Sequence, residues 1–471
     1  MDTITKLSDE VRGPVLTPGQ PGYDDERAGF QRDLDHRPGV IVGALDAADV
    51  QAAVRFAAAE GRPVAVQATG HGRVAGAGEN AVLISTRRMA AVRVEPDGPD
   101  GPTAGVEAGA TWTPVIEQAA AHGLAPLSGS SPDVGVVGYT LGGGFGLLSR
   151  RYGYAADRVR RIEVVTADGE RRLATPESEP DLFWALRGGR DNLGVVTGIE
   201  VELFPVPRLY GGGLYFAAEH AAAVLDAYRR WTATVPDAMG SSLGLVPIPD
   251  LPMVPEPIRG RYVAHLRIAY AGDAAEGERL VAPLRAVAPR LLERLEEMPY
   301  TASGTIHNDP PVPHAYHGSG LLLRALDDDG ARAVLDLAGP EAAVPTVVQL
   351  RHAGGAMRTP PPVPNAVGHR DAELLLSVIS IVGEDGDAEG ADAARAAAHE
   401  LHGKLAAALA PLTAGASLNY LYGRGATSEL VRAAYEPATR RRLAELKRAY
   451  DPDNLFRLNP NVPPGAAGSE A

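Results

Sequence analysis

A glycine-rich stretch is the part of this sequence best suited to hold a ligand by its main chain. Residues 128–146 read SGSSPDVGVVGYTLGGGFG, with three consecutive glycines at Gly142, Gly143 and Gly144. Glycine permits positive φ and close approach of the backbone, and a run of N–H groups makes a concave site for phosphate. The same composition is also typical of a surface loop. The stretch therefore predicts either a phosphate-binding loop or a surface loop.

A second glycine loop carries a single histidine. Residues 68–76 read ATGHGRVAG, with His71 at the centre. His71 could be a structural histidine that packs and accepts one hydrogen bond, a general base or a metal ligand. Because a metal site needs three or four ligands and no histidine or acidic companion lies at a suitable spacing, we expect no metal.

Size and composition limit the classes of protein that need consideration. With 471 residues, the chain is too long for one hydrophobic core and predicts two or three domains. The net charge of −14 argues against nucleic acid or an anionic membrane surface as a partner, since both require a basic face. The chain contains no cysteine, which excludes disulfides and thiolate chemistry. No secretory signal or membrane-spanning run is visible, so we expect a cytoplasmic enzyme.

The elements around the two loops have clear periodic patterns. A strand at 37–45, a helix at 46–60 with Asp46 as its N-cap, and a second strand form a β-α-β unit that ends in the His71 loop. Residues 160–174 predict a hairpin that turns at Asp168 and Gly169. A helix, a glycine turn and an alternating strand follow at 181–207. The pattern is α+β and does not resemble a Rossmann domain.

Residues 208–425 alternate strand-like and helix-like segments. We interpret them as an antiparallel sheet covered by helices on one face, with the opposite face free to cover a cofactor. The helix-like segments are 221–235, 275–292, 331–337 and 388–409, and residues 416–423 (ASLNYLYG) are among the strand-like segments.

Four motifs in this order resemble those of the flavoprotein oxidases related to vanillyl-alcohol oxidase and p-cresol methylhydroxylase (PCMH), in the berberine-bridge-enzyme-like branch. The resemblance covers about residues 23–463. The motifs are the Gly-His-Gly loop at 70–72, VGVVGYTLGGGFG at 134–146, DLFWALRGG…NLGVVT at 181–197, and YDPDNLFRLNPNVPP at 450–464.

The resemblance implies a two-part FAD-binding domain of the PCMH type and a separate substrate domain. The expected divisions are an N-terminal arm (1–36), the FAD-binding domain (37–206), the substrate-binding domain (207–425), and a C-terminal segment (426–471) that returns to the FAD-binding domain.

The resemblance also assigns the FAD contacts. It places His71 where relatives bond a ring nitrogen to the flavin 8α carbon, and Ser131 where many relatives have a second, cysteine link. A hydroxyl does not replace a thiolate, so we expect one covalent bond at most. Val134 matches a residue that gates oxygen, and a small valine there favours an oxidase. Residues expected near the pyrophosphate, the adenine or elsewhere on FAD are Ala68, Thr69, Gly70, Gly72, Arg73, Gly135, Gly138, Tyr139, Thr140, Gly142, Gly143, Val196 (adenine) and Asn459 (C-terminal tail).

On the substrate side, Asn419 and Tyr420 match a family Asn-Tyr pair whose tyrosine can act as the catalytic base. A tyrosine pKa near 10 is too high for this work at neutral pH, so the role requires a lowered pKa. Gln349 and Arg351 share a parity and therefore one face of their strand. Arg351 could bind a substrate carboxylate or phenolate, or support the flavin anion.

The implied function is an FAD-dependent oxidase acting on a small molecule of secondary metabolism or a sugar. It would transfer hydride from an alcohol, hydroxy or amine carbon to flavin N5 and then electrons to O2, giving H2O2. Two alternatives stay open: a flavin monooxygenase or oxidative cyclase, and a non-catalytic ligand-binding resistance protein. We expect a monomer or homodimer with no nucleic-acid or membrane partner.

Overall fold

The computed structural model describes residues 3–383 and 388–465, which form three β-sheets of four, eight and five strands. The strands are β1 (Val15–Leu16), β2 (Val40–Gly43), β3 (Val64–Gln67), β4 (Val82–Ser85), β5 (Val92–Glu95), β6 (Thr103–Glu107), β7 (Val159–Val165), β8 (Arg171–Ala174), β9 (Val195–Glu202), β10 (Arg208–Ala217), β11 (Met239–Pro247), β12 (Tyr262–Tyr270), β13 (Arg290–Pro299), β14 (Tyr316–Leu323), β15 (Thr346–His352), β16 (Leu374–Ile381) and β17 (Thr413–Ala416). The helices are α1 (Thr3–Glu10), α2 (Tyr23–Arg27), α3 (Ala47–Ala59), α4 (Trp112–Ala120), α5 (Val136–Leu141), α6 (Ser149–Tyr152), α7 (Pro180–Gly189), α8 (Ala221–Thr232), α9 (Ala274–Arg285), α10 (Asp328–Ala338), α11 (Ala388–Leu409), α12 (Ser428–Ala433) and α13 (Pro437–Tyr450).

The four-stranded sheet contains the predicted β-α-β unit. Its order is β1-β2-β4-β3, and β4 pairs in parallel with both β2 and β3. Asp46 caps α3 as expected, because its carboxylate accepts hydrogen bonds from the N–H groups of Ala48 (2.9 Å) and Asp49 (3.1 Å). The loop that carries His71 follows directly after β3.

The five-stranded sheet lies next in the chain, in the order β5-β6-β9-β7-β8. The hairpin predicted at Asp168 and Gly169 is confirmed, since β7 and β8 pair antiparallel across this turn and Gly169 has φ 75°. Helices α4, α5 and α7 share one large apolar core with this sheet. That core fixes α5, which follows directly after Gly135 in the glycine-rich stretch.

The eight-stranded sheet is antiparallel throughout, in the order β13-β10-β12-β11-β15-β16-β14-β17. Alternate side chains such as Leu214, Leu266 and Leu350 share a core with α8, α9, α10 and α11. We call the opposite side of this sheet the bare face. The predicted antiparallel sheet with helices on one face is therefore confirmed.

The C-terminal segment returns to the first sheet through a buried ion pair. The Lys447 ammonium donates to Asp451 Oδ2 (2.6 Å) and to the carbonyl oxygens of Asn192 (2.6 Å) and Phe456 (2.8 Å). Asp451 in turn accepts from the N–H groups of Leu455 (2.7 Å) and Phe456 (2.9 Å). Both charged side chains have no exposed surface. The ion pair therefore fixes the turn that brings the tail back to β3.

Two expectations about elements are wrong. The predicted helix at 275–292 ends at Arg285, and Arg290–Pro299 is the edge strand β13 paired with β10. Pairing with an open sheet edge overrides the helix preference of its Leu, Glu and Arg residues. In the predicted strand at 416–423, β17 ends at Ala416 and Leu418–Tyr420 form a 3₁₀ turn.

The domain boundaries expected at 36, 206 and 425 stay a prediction. Among the helices of residues 3–383 and 388–465, none has the combined length and apolarity that a membrane span requires.

Candidate active site

The two glycine loops predicted from the sequence are neighbours in space. A Cβ atom placed on Gly135 would lie 3.7 Å from Ala68 Cβ and 3.7 Å from Thr69 Oγ1. The His71 loop follows β3 of the four-stranded sheet, and Gly135 precedes α5, which packs against the five-stranded sheet. The two loops are therefore positioned by two different sheets. Their main chains can therefore contact one ligand from two sides.

His71 is a neutral, well-positioned imidazole. Its ring stacks on Phe30 with 3.9 Å between the ring centroids, and Nδ1 lies 2.9 Å from Thr69 Oγ1. Burial lowers the pKa of His71 to about 4, although Asp133 and Asp309 act in the opposite direction. The unprotonated ring is the form that can act as a nucleophile.

The side chain of Arg73 ties the N-terminal arm to the His71 loop. It donates to the carbonyl oxygens of Leu34 (2.7 Å) and Arg27 (3.1 Å) and also to Gln67 Oε1. Neighbouring Gly70 has φ 74°, which favours glycine, and its carbonyl accepts from Gln31 N–H. The cofactor contact expected of Arg73 stays a prediction.

Several glycines of the 128–146 stretch are required by internal packing. The Tyr139 ring lies 2.7 Å from the position of a Cβ on Gly144 and 3.1 Å from that on Gly129. A Cβ on Gly142 would overlap the amide of Asn419, which donates to the Tyr139 carbonyl oxygen at 2.7 Å. Packing within the protein therefore explains these glycines, and a ligand is needed to explain only the others.

Gly138 and Gly143 have different reasons to be glycine. Gly138 is exposed, and nothing lies within 4 Å of its Cβ position. Gly143 has φ 108°, where residues with a side chain are strained. The open side of the stretch is thus at Gly138.

The remaining expected FAD residues fall into two groups. Ser131 and Val134 are half-buried beside α5, and Thr140 is buried with its hydroxyl unpartnered. Val196 lies on β9 with its side chain in the apolar core, and Asn459 Nδ2 donates to the Asp191 carbonyl oxygen at 3.1 Å. Gly135, which follows Val134, lies beside the His71 loop. The FAD contacts expected of these five residues stay predictions.

Arg190 was missed by the sequence reasoning. It has φ 57° and ψ −150°, a conformation that essentially only glycine adopts. Its guanidinium Nη1 lies 3.4 Å from Asn419 Oδ1, and Nη2 lies 3.0 Å from the Cβ position of Gly72. Only 12% of the side chain is exposed. The sequence feature that could have pointed to Arg190 is an arginine inside the glycine turn RGGRDNLG.

The bare face is connected to the glycine-rich stretch by a hydrogen-bonded chain. Arg351 Nη2 donates to Gln349 Oε1 (2.9 Å) and to Ser130 Oγ (3.2 Å), and Ser130 donates to Asp309 Oδ2 (2.7 Å). The shared face expected for Gln349 and Arg351 is therefore confirmed. Burial opposes the charge of Arg351, but Tyr420 and Asp309 raise its pKa above the ordinary value.

Tyr420 lies beside Arg351 but lacks the lowered pKa that a base requires. The Arg351 guanidinium carbon is 5.3 Å from the Tyr420 ring centroid, and the Tyr420 hydroxyl donates to the Phe145 carbonyl oxygen at 3.3 Å. Burial raises the pKa of Tyr420, and Arg351 offsets this only in part. Its predicted role as the base stays a prediction.

These features fit a bound FAD. Two close glycine loops suit a diphosphate, and the buried Tyr139 and Thr140 hydroxyls lack a protein partner. The polar bare face contacts the glycine-rich stretch, because Arg351 donates to Ser130. Fold and site together define an FAD-dependent oxidoreductase.

Comparison with known families supports the same class. Residues 38–174 match the FAD binding domain family, and residues 422–463 match the berberine and berberine-like family. These two matches confirm the resemblance to the berberine-bridge-enzyme-like flavoprotein oxidases that the sequence motifs predicted.

Individual relatives are similar over nearly the full length. The chain is 27% identical to (R)-6-hydroxynicotine oxidase of Paenarthrobacter nicotinovorans, over 96% of this chain and 97% of the relative. The crystal structure of 6-hydroxy-D-nicotine oxidase from Arthrobacter nicotinovorans has a TM-score of 0.81 at 26% identity, covering 97% of this chain and 98% of that one. The xylooligosaccharide oxidase of Myceliophthora thermophila has a TM-score of 0.82 at 21% identity, covering 99% and 100%, and shares the fold.

Proposed function

We propose that the protein is an oxidase that removes two electrons from a hydroxyl-bearing or amine-bearing carbon of a small molecule and delivers them to O2. FAD, when bound, would supply the two-electron acceptor for this reaction, with O2 as the final acceptor and H2O2 as the product. The observation that carries the proposal is the Arg351–Ser130–Asp309 chain, which joins the polar bare face to the glycine-rich stretch. Full-length similarity to (R)-6-hydroxynicotine oxidase supports this class of reaction.

Each part of the site has a distinct proposed task. His71 is the attachment point for a single covalent bond to the flavin, supported by its neutral ring. Ser131 forms no second bond, because a hydroxyl is a poor substitute for a thiolate. Gln349 and Arg351 orient the substrate, and Tyr420 is the candidate to receive its proton. Val134 leaves room for O2.

Arg190 is proposed to neutralise the FAD diphosphate. Its guanidinium lies between the His71 loop at Gly72 and Asn419, which is bonded to the glycine-rich stretch. A cation at the junction of two loops rich in N–H groups complements two negative phosphates. The strained backbone of Arg190 is consistent with a functional role.

An anaerobic flavin-reduction screen tests the proposed reaction. The purified yellow protein is mixed without oxygen with hydroxy acids, amines, sugars and hydroxy-aromatics, and the absorbance of the oxidised flavin is followed. At least one class should bleach it, and admitting O2 should restore the colour with one H2O2 per substrate. Ligand binding with no bleaching would support the binding-protein alternative, and 18O from labelled O2 in the product would support a monooxygenase.

The expected cytoplasmic location, the involvement in secondary metabolism, and the monomeric or homodimeric state stay predictions. Size-exclusion chromatography with light scattering on the holoprotein measures the last of these directly.

A further inference from the structure

Three side chains form a cross-strand row on the bare face. Ser242 on β11 is the register partner of Arg267 on β12 and also of Arg351 on β15. Strands lie about 4.8 Å apart, which places the two arginine Cα atoms roughly 10 Å from each other. Arg267 is 5% exposed and Arg351 is 7% exposed. Two buried cations thus lie on one face with only a serine between them.

The charges of this row are not neutralised by the protein. Within residues 3–383 and 388–465, neither Arg267 nor Arg351 forms an ion pair with a carboxylate. Asp309 is near enough to act on both, but it accepts its hydrogen bond from Ser130. A buried charge is costly unless it is paired, so two of the same sign call for an anion.

The unsatisfied atoms of the row are hydrogen-bond donors. Arg267 Nη1, Arg351 Nε and the Ser242 hydroxyl are buried without a protein partner. Arg267 Nε donates to His265 Nδ1 at 3.1 Å, so the hydrogen of that neutral ring is on Nε2, which is also buried and unpartnered. A wall that offers donors and few acceptors recognises an acceptor-rich group.

A small cavity lies against the row. Its volume is about 20 Å³, and its lining includes Ser242, Arg267, His307, Arg351 and Phe145. This exceeds the roughly 10–15 Å³ that one water molecule requires and suits one small polar group. The Arg267 guanidinium reaches this position because Gly244 has no side chain; Nη1 lies 2.7 Å from the Cβ position there.

We propose that the Arg267–Ser242–Arg351 row binds a carboxylate carried by the substrate. A carboxylate presents two acceptor oxygens and the charge that the two guanidiniums lack, and it matches the planar arginine donors. The substrate class is then a small organic acid whose hydroxyl-bearing or amine-bearing carbon is oxidised. This inference rests on the proposed oxidase function and adds the substrate class.

Charged and uncharged aromatic probes test the row without turnover. Benzoate and benzamide are titrated into the holoprotein at fixed ionic strength, and the shift of the flavin absorbance is fitted to a dissociation constant. Benzoate should bind about tenfold or more tightly than benzamide, the scale expected of a charge-assisted hydrogen bond. Arg267→Gln should weaken benzoate much more than benzamide and thereby remove most of this preference.

Arg294 supplies the matched control. It is exposed on β13 and pairs in register with Gly213, which also pairs with Arg267. Arg294→Gln removes the same charge near the row and should leave both probes unaffected. If Arg294→Gln weakens benzoate as much as Arg267→Gln does, general electrostatics accounts for the effect and the proposal is wrong.

Two further outcomes would also overturn the inference. Equal binding of benzoate and benzamide by the wild type would refute a carboxylate site. Loss of FAD from Arg267→Gln, measured by the ratio of flavin to protein absorbance, would show that Arg267 serves FAD binding or folding and not a substrate carboxylate. Ser242→Ala covers the case in which Arg267→Gln does not fold, and it should weaken benzoate alone by a few-fold. Since no probe is oxidised, failure here is separate from failure of the flavin-reduction screen.

Discussion

Replacing Arg190 with glycine should separate backbone strain from cofactor binding. At φ 57° and ψ −150° the residue occupies a region in which a side chain costs about 1–3 kcal/mol. Glycine removes that strain but costs about 0.5–1 kcal/mol through its greater freedom in the unfolded chain. The net expectation for Arg190→Gly is an apoprotein more stable by up to about 2.5 kcal/mol, with a correspondingly higher Tm.

The same change should weaken FAD. One charge-assisted hydrogen bond to a phosphate contributes about 1.5–3 kcal/mol, which corresponds to roughly a 10- to 150-fold rise in Kd. The measurement is the quenching of FAD fluorescence on titration with apoprotein, made in a His71→Ala background so that the cofactor dissociates. Tm of the apoprotein is measured on the same samples by differential scanning fluorimetry.

Two matched variants separate the causes. Arg190→Ala keeps the strain and loses the guanidinium, so it should weaken FAD as Arg190→Gly does without the gain in Tm. Arg190→Lys keeps a cation and should retain most of the affinity. Tight FAD binding by both Arg190→Gly and Arg190→Ala would refute the diphosphate contact, and a Tm for Arg190→Gly below that of Arg190→Ala would refute the strain.

Three other expectations follow from the site and its supports. His71→Ala should leave the acid-precipitated protein colourless with FAD in the supernatant, whereas wild-type protein should give a yellow pellet; a colourless wild-type pellet would exclude the covalent bond. Lys447→Met should lower the free energy of unfolding by about 3–5 kcal/mol, because Asp451 is left buried and unpaired, and the double variant Lys447→Met, Asp451→Asn should recover part of that loss in thermal melts. Stability should fall as the pH drops from about 6.5, because burial lowers the folded-state pKa of three histidines to about 3 and the unfolded chain then binds more protons than the folded chain. Each histidine should lower the free energy of unfolding by up to about 1.4 kcal/mol per pH unit. A Tm that stays constant between pH 7 and 5 would contradict this expectation. The three are His36, His352 and His402.

Local sequence signals predicted the first part of the chain well. The cap at Asp46, the hairpin at Gly169 and the adjacency of the two glycine loops all follow from short-range rules or a specific motif. The parity of Gln349 and Arg351 was also sufficient to place both on one face. The cap, the hairpin and the strand parity depend on residues within a few positions of each other, so tertiary context does not alter them. The adjacency of Ala68 and Gly135 was instead predicted by the resemblance of the two loops to family motifs.

Long-range packing explains what the sequence did not reveal. Gly142 and Gly144 are required by Asn419 and Tyr139, contacts that no local pattern contains. The Arg267–Ser242–Arg351 row depends on the order of three strands that are far apart in the chain. Arg190 was not predicted as a site residue because an arginine in a glycine turn is usually exposed. The strand β13 was misassigned because an edge strand needs few apolar residues.

The Lys447–Asp451 ion pair has a consequence for how the protein matures. It fixes Asn192 and the Phe456 turn, and Leu455 accepts a hydrogen bond from Val64 at the edge of the first sheet. The edge strand β3, which leads into the His71 loop, is thus supported by residues that are translated almost 400 positions later. A ribosome-bound nascent chain that lacks residues 447–456 cannot form these contacts, so the support of β3 is completed only after that segment has been translated.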